Sequence, residues 1–299
     1  MRVCDLARLL ALAIIWSASF AFIRVLVPAI GPWWVAAGRV LIGGVTLIVM
    51  LGVAGIDARV RRDWRHYAVI GVLNCAVPFM LYGYAALHLP ASYLVILNAA
   101  TPLFTAIAAA VWLGERVTSR LVAGIVLAVA GVVVVSRAGP VELDTKAVLG
   151  IAASLGATIC YALAGVWMKR RGQGLSPLGV SAWGQFFAGV GLLPFAAASE
   201  VHGPIDAGVV VNLLALGVVC SALAYVLYFR LIADVGPTRA VSVTFLMPAF
   251  GMLWGALFLR ETITLAMIAG AVAIVAGTTA MLRKPAIVSP ATPDLARSM

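Results

Sequence analysis

Charge is what this sequence has least of. Asp, Glu, Lys and Arg make up 11% of its 299 residues and 64% are hydrophobic, whereas an ordinary soluble domain is about 25% charged. So few charges cannot cover a water-soluble fold, and a large soluble domain is excluded. Histidine is also scarce: the three, His66, His88 and His202, all fall in polar connections and make no cluster. The four cysteines, Cys4, Cys75, Cys160 and Cys220, show neither a CxxC step nor metal-ligand spacing and read as small packing residues. HExxH and paired carboxylates within an apolar run are missing as well. An enzyme working inside a bilayer needs a nucleophile with its base, paired carboxylates or metal ligands there. No catalytic residue, metal site or cofactor is therefore expected. The net charge of +10 does not imply nucleic acid as a partner, because a binder of that kind presents its basic residues on a solvated face.

What the chain does have is long apolar runs, and their partner is a lipid bilayer. A crossing needs roughly 20 apolar residues. Runs bounded by charges, Gly/Pro turns and caps predict ten spans, at 9–27, 33–53, 67–86, 91–112, 120–136, 147–168, 176–197, 209–230, 238–258 and 264–282. The first run is too long for the apolar region of a signal peptide and is read as a helix. The segment 284–299 carries three prolines and little apolar content, and a flexible cytoplasmic tail is expected there. Lys and Arg favour cytoplasmic loops. With the N-terminus inside, sixteen of the 21 fall on the cytoplasmic side, three on the other, and Arg24 and Arg39 within spans. Both termini are expected inside.

The chain repeats itself. A shift of 146 residues lays 71–131 on 217–277 without a gap: Tyr82 meets Tyr228, Pro102 meets Pro248, Glu115 meets Glu261, and Gly71, Gly124 and Gly131 meet Gly217, Gly270 and Gly277. A shift of 145 lays Trp16 on Tyr161 and Arg24 on Lys169. The expected fold is all-α: two five-span halves, 5–138 and 147–283. Because five is odd, the halves are inverted in the membrane, the arrangement that lets a central site open first to one face and then to the other.

At these residues a resemblance emerges. Trp16-Ser17-Ala18-Ser19-Phe20 with Arg24 and Arg39, then the Pro102 span ending Leu113-Gly114-Glu115 and its copy from Pro248 to Leu259-Arg260-Glu261, resemble the EamA domain of the drug/metabolite transporter superfamily. The resemblance is to YddG-type bacterial exporters of aromatic and other neutral amino acids. It implies an inner-membrane carrier whose small-molecule substrates are amino acids. The chain departs from the pattern at Gly184, where an Arg would stand opposite Arg39.

Candidate substrate-binding residues come from the repeat. Phe79 and Tyr82 share a helix face and map onto Tyr225 and Tyr228, while Trp16 maps onto Tyr161. All but Tyr228 lie several residues from their span ends, deeper than a headgroup belt, so they read either as the lining of an aromatic cavity or as helix packing. Asn98 and its mate Thr244 precede Pro102 and Pro248 by four residues. A proline there kinks the helix and frees the carbonyl of residue 98 or 244, for substrate or for a neighbouring helix. Arg24 and Arg39 are expected to snorkel, with attraction of a carboxylate near the outer mouth as the alternative. Glu115 and Glu261 are expected to cap helix ends or pair with Arg116 and Arg260. Gly251 and Gly255 form a GxxxG step that fits internal packing in a monomer. For Trp183 and Gln185 the spacing supports no role.

These readings combine into an exporter of amino acids, with Phe, Trp and Tyr foremost and neutral ones such as Met or Thr tolerated. No acidic residue falls in the middle of a span, so a facilitator or exchanger is expected. The alternative is an exporter of other amphipathic metabolites or drugs, with or without proton coupling.

Overall fold

The computed structural model describes residues 2–115, 117–236, 240 and 242–282. Among them every regular element is helical. Seven helices are long and apolar enough to cross a membrane: α1 (Val3–Val53), α2 (Val60–His88), α3 (Ala91–Leu113), α4 (Ser119–Ala138), α5 (Thr145–Arg171), α6 (Pro177–Ala197) and α7 (Ala207–Val235). Two shorter apolar helices follow, α8 (Val243–Leu259) and α9 (Leu265–Leu282). The expected tail, 284–299, and the start of the expected span 238–258 lie outside the described residues.

The two expected N-terminal spans are not separated by a loop. They run together as α1, whose 51 residues would measure about 76 Å if straight, over twice the hydrocarbon core of about 30 Å. The chain breaks instead at one residue, Gly31, with φ 75° and ψ 162°. Pro32 disfavours the helical conformation at the residue before it, and glycine tolerates the positive φ. The break exposes the Ala29 carbonyl, which accepts the backbone N–H groups of His202 (3.0 Å) and Gly203 (2.9 Å) from the connection after α6. A second difference is at 60–66. The expected loop there is the first part of α2, where Arg61, Arg62 and Arg65 extend the helix, and the Tyr67 hydroxyl bonds the Ala58 carbonyl at 2.6 Å.

Helix contacts rest on small residues. Helices α4 and α9 pack through four glycines: a Cβ on Gly131 would stand 2.7 Å from the Gly270 carbonyl oxygen, and one on Gly277 would stand 2.6 Å from that of Gly124. The 146-residue shift exchanges these two contacts. The C-terminal arm of α1 presses on α6 in the same way, since a Cβ on Gly44 would lie 2.7 Å from the Phe186 backbone nitrogen. Such close approach replaces hydrophobic drive, which is absent between helices in lipid, by van der Waals contact. The remaining core is built by Ile23, Val27, Tyr82, Leu94, Leu97 and Met247, all nearly or fully buried.

Each long helix α2 and α7 contains a π-helical stretch, Val72–Ala76 and Ala215–Leu223, and the shift lays the first inside the second. Wide turns of this kind are frequent at functional sites. Here both flank the central cavity.

Candidate functional site

A cavity of about 480 Å³ lies among α1, α2, α3, α5, α6, α7 and α8, within the range of about 300–1,000 Å³ usual for small-molecule sites. All eight sequence-predicted residues line it: Trp16, Phe79, Tyr82, Asn98, Tyr161, Tyr225, Tyr228 and Thr244. Met168 and Pro177 mark its reach toward the face that carries Lys169, Arg170 and Arg171.

The rings meet across the repeat. Trp16 packs on Tyr228 with centroids 5.1 Å apart and on Tyr225 at 6.0 Å, while Tyr161 faces Tyr82 at 6.3 Å. Neither ring pair of Trp16 joins it to its own counterpart, Tyr161. Each ring of one half leans on the tyrosine of the other half, and the shift converts the Trp16–Tyr228 contact into Tyr161–Tyr82. Phe20 closes on Tyr82 edge to face at 5.1 Å, an arrangement that the ring quadrupole favours.

Polar groups stand at defined places among the rings. The Tyr82 hydroxyl donates to Asn98 Oδ1 at 2.9 Å, and Asn74 Nδ2 donates to the Tyr225 hydroxyl at 3.0 Å. Of the two readings of the Asn98 carbonyl, a protein partner is present: Thr101 Oγ1 donates to it at 2.7 Å. The two prolines also differ. Helix α3 turns out of α-geometry at Ala99 and Ala100 and restarts with Pro102 in its first turn, where a missing N–H costs nothing. Pro248 lies inside the continuous helix α8.

Arg39 departs most from expectation. It does not snorkel: it is 6% exposed, lines the cavity, donates from Nε to Ser221 Oγ at 3.0 Å and holds Cζ 3.9 Å from the Phe79 ring centre. Arg24 is half-buried and donates from Nη1 to the Ala86 carbonyl at 2.6 Å. Asn74 and Ser221 carry polar contacts in the site that sequence reasoning missed. The shift pairs them with Cys220 and Cys75, so a search for repeated polar residues passes over both. Gln185 is fully buried and both atoms of its amide lack a partner. Its oxygen would stand 2.5 Å from a Cβ on Gly43.

Of the two expected roles, Glu261 takes the helix cap and forms no ion pair with Arg260. Glu261 accepts from the backbone nitrogens of Ala91 (2.7 Å) and Ser92 (3.0 Å) and from Ser92 Oγ (2.6 Å), capping the N-terminus of α3 from the end of α8. Glu115 is half-exposed and bonds Lys169 Nζ at 2.5 Å; Arg116 lies outside the described residues. Among the described residues no group of His, Cys, Asp or Glu could hold a metal ion.

This architecture, apolar helices around an aromatic cavity, is that of a membrane transport protein. The sequence profile of the EamA-like transporter family matches residues 6–137 and again residues 148–283, and the chain belongs to that family as a multi-pass membrane protein. It is 29% identical to an uncharacterised Bacillus subtilis transporter, YvbV, over 88% of this chain and 87% of that one. A probable terminal-alkyne amino-acid exporter of Streptantibioticus cattleyicolor is 27% identical over 87% of each. A probable amino-acid metabolite efflux pump of Salmonella typhimurium is 25% identical over 90% and 91%. One crystal structure shares the fold with a TM-score of 0.68 at 19% identity, covering 94% of this chain and 96% of its own.

Proposed function

We propose that this protein is an alternating-access carrier that exports amino acids, aromatic ones foremost, in the manner of YddG-type exporters, across a bacterial inner membrane. The observation that carries the reading is the ring-lined cavity, whose contacts Trp16–Tyr228 and Tyr161–Tyr82 exchange under the sequence repeat. Rings accept an apolar side chain, and Asn98, Asn74 and tyrosine hydroxyls supply hydrogen bonds to a polar end. The printed functions of two relatives, amino-acid export and amino-acid metabolite efflux, favour the same cargo class.

Counting the two arms of α1 separately gives ten crossings in two inverted halves, 5–138 and 147–283, with both termini cytoplasmic. Two family matches of similar length and the exchanged glycine contacts favour this count. In this arrangement the cavity opens toward the cytoplasm, beside Lys169–Arg171, and the Glu261 cap on α3 closes the opposite face. The same inversion turns the first arrangement into the second state, with the roles of the halves exchanged. Among the described residues no carboxylate lines the cavity, which favours movement of cargo down its own gradient or by exchange.

Liposomes containing only this protein and loaded with unlabelled L-phenylalanine test the reading. Saturable entry of labelled L-phenylalanine, faster from loaded than from empty vesicles, is expected. Flux that does not saturate and ignores internal cargo would refute a carrier.

A further inference from the structure

Among the described residues one cation lines the cavity, and none of them supplies it a counter-ion. Arg39 is 94% buried on the C-terminal arm of α1 and lines the space that the rings enclose. Among the described residues no carboxylate pairs with it, and none lines the cavity. A charge held at depth in a membrane protein is costly, and where it persists it marks a substrate or ion path.

Its position is built. A guanidinium carries five N–H donors in a planar fork. The Nε–H is taken by Ser221 Oγ, and Ser221 is oriented by donating to the Leu216 carbonyl at 3.2 Å within the π-helical stretch of α7. Phe79 occupies one face of the guanidinium, with Cζ 3.9 Å from the ring centre. Stacking uses the face and leaves the edge free. The four N–H groups on the two terminal nitrogens bond to nothing among the described residues. Close approach of α1 to α7 makes this possible: a Cβ on Gly217 would lie 2.6 Å from Ile42 and one on Gly43 would lie 2.9 Å from the Ser221 Cβ.

We infer that Arg39 is the receptor for the cargo's anionic end, so that the site selects aromatic carboxylates, with or without an α-ammonium group, and rejects their amides and amines. The inference rests on the carrier reading and names the chemistry of its cargo. A fixed fork with two free N–H pairs matches a carboxylate bidentately. Among the described residues that line the cavity an ammonium group finds no acid, only neutral acceptors and ring faces. The carboxylate would supply the missing counter-ion, and the carbon body attached to it would extend among Phe79, Tyr82 and Tyr161.

Competition against labelled L-phenylalanine counterflow in liposomes tests this without any variant. L-phenylalanine and 3-phenylpropionate are expected to compete, and phenylalaninamide and phenethylamine to compete about tenfold less or worse, the loss of one charge-assisted pair. In Arg39→Gln the half-saturating L-phenylalanine concentration is expected to rise about tenfold and the preference for acid over amide to disappear, with Arg39→Lys between the two. Should Arg39→Gln not fold, the wild-type competition decides. Amide and acid competing equally in the wild type, or a folded Arg39→Gln that keeps the preference, would overturn the role of Arg39 while leaving a carrier in place. The same comparison with labelled L-leucine and leucinamide separates the two readings. Discrimination found only there keeps Arg39 and overturns aromatic cargo, and saturable transport of neither substrate overturns both.

Discussion

Tyr82 and Asn98 hold each other through a hydrogen bond of 2.9 Å between α2 and α3, with Tyr82 1% exposed and Asn98 8%. The bond anchors the hydroxyl of the ring and supplies Asn98 Oδ1, whose other contact, Thr101 Oγ1 at 3.4 Å, is long. Tyr82→Phe keeps the ring and leaves a buried acceptor poorly paired, at a cost of about 1–3 kcal/mol. A lower unfolding temperature in detergent with transport of aromatic cargo largely retained is expected. Tyr82→Ala removes the ring as well and should lose transport. Equal transport by wild type and a well-folded Tyr82→Ala would show that the cavity does not hold the cargo.

Trp16 bridges the halves by leaning on Tyr225 and Tyr228. An aromatic contact contributes about 0.5–1.5 kcal/mol beyond the area it buries, so Trp16→Ala should slow transport of aromatic cargo about tenfold or more, and Trp16→Phe should restore most of it. Initial rates of labelled L-phenylalanine entry measure both. A rate unchanged in Trp16→Ala would place cargo elsewhere.

Orientation is checked by reporter fusions. Fusions after Arg65, Arg171 and Lys284 should report cytoplasm, and fusions after His88 and His202 the opposite side. The reverse pattern would remove the inverted-half arrangement together with the direction assigned to the cavity.

Glu261 closes one end of the molecule by capping α3. In Glu261→Gln the charge-assisted bonds to Ala91 and Ser92 weaken, and each is worth about 1.5–3 kcal/mol. The expected outcome is easier labelling of a cysteine placed at Ser92 by a membrane-impermeant reagent, with counterflow still independent of an imposed pH gradient. Uphill accumulation driven by a pH gradient and abolished by Glu115→Gln or Glu261→Gln would establish proton coupling and falsify the facilitator reading.

Helices α3 and α8 both end on a left-handed residue, Gly114 with φ 67° and Arg260 with φ 53°. Glycine adopts that conformation freely, whereas a side chain there costs roughly 1–2 kcal/mol. Arg260→Gly should therefore raise thermal stability and Gly114→Ala should lower it by about 1 kcal/mol. Unfolding in detergent, followed by intrinsic fluorescence, reads both signs.

Much of this was legible in the residues themselves. Hydrophobic runs mark helices in lipid because backbone N–H and C=O groups there must bond within their own segment, and near-identical spacing of Tyr, Pro, Glu and Gly marks two copies of one unit. Repetition singles out Trp16, Tyr82, Tyr161 and Tyr228 from other apolar aromatics, and all four line the cavity. Asn74 and Ser221 escaped because each stands alone in one half, opposite Cys220 and Cys75, and Arg39, opposite Gly184, was expected first to snorkel. Arg39 sits six residues from the start of its predicted span, close enough for a long side chain to reach water in an isolated helix.

What an isolated helix does not contain is its neighbours. Composition and periodicity determined that the chain is helical, apolar and repeated, because those properties follow from each segment's own balance of burial and backbone bonding. The closing of Glu261 on α3 and the capture of Arg39 between Ser221 and Phe79 were decided only by tertiary structure. Each depends on helices far apart in sequence approaching within van der Waals contact, and that distance is set by the glycines on both sides of the interface at once.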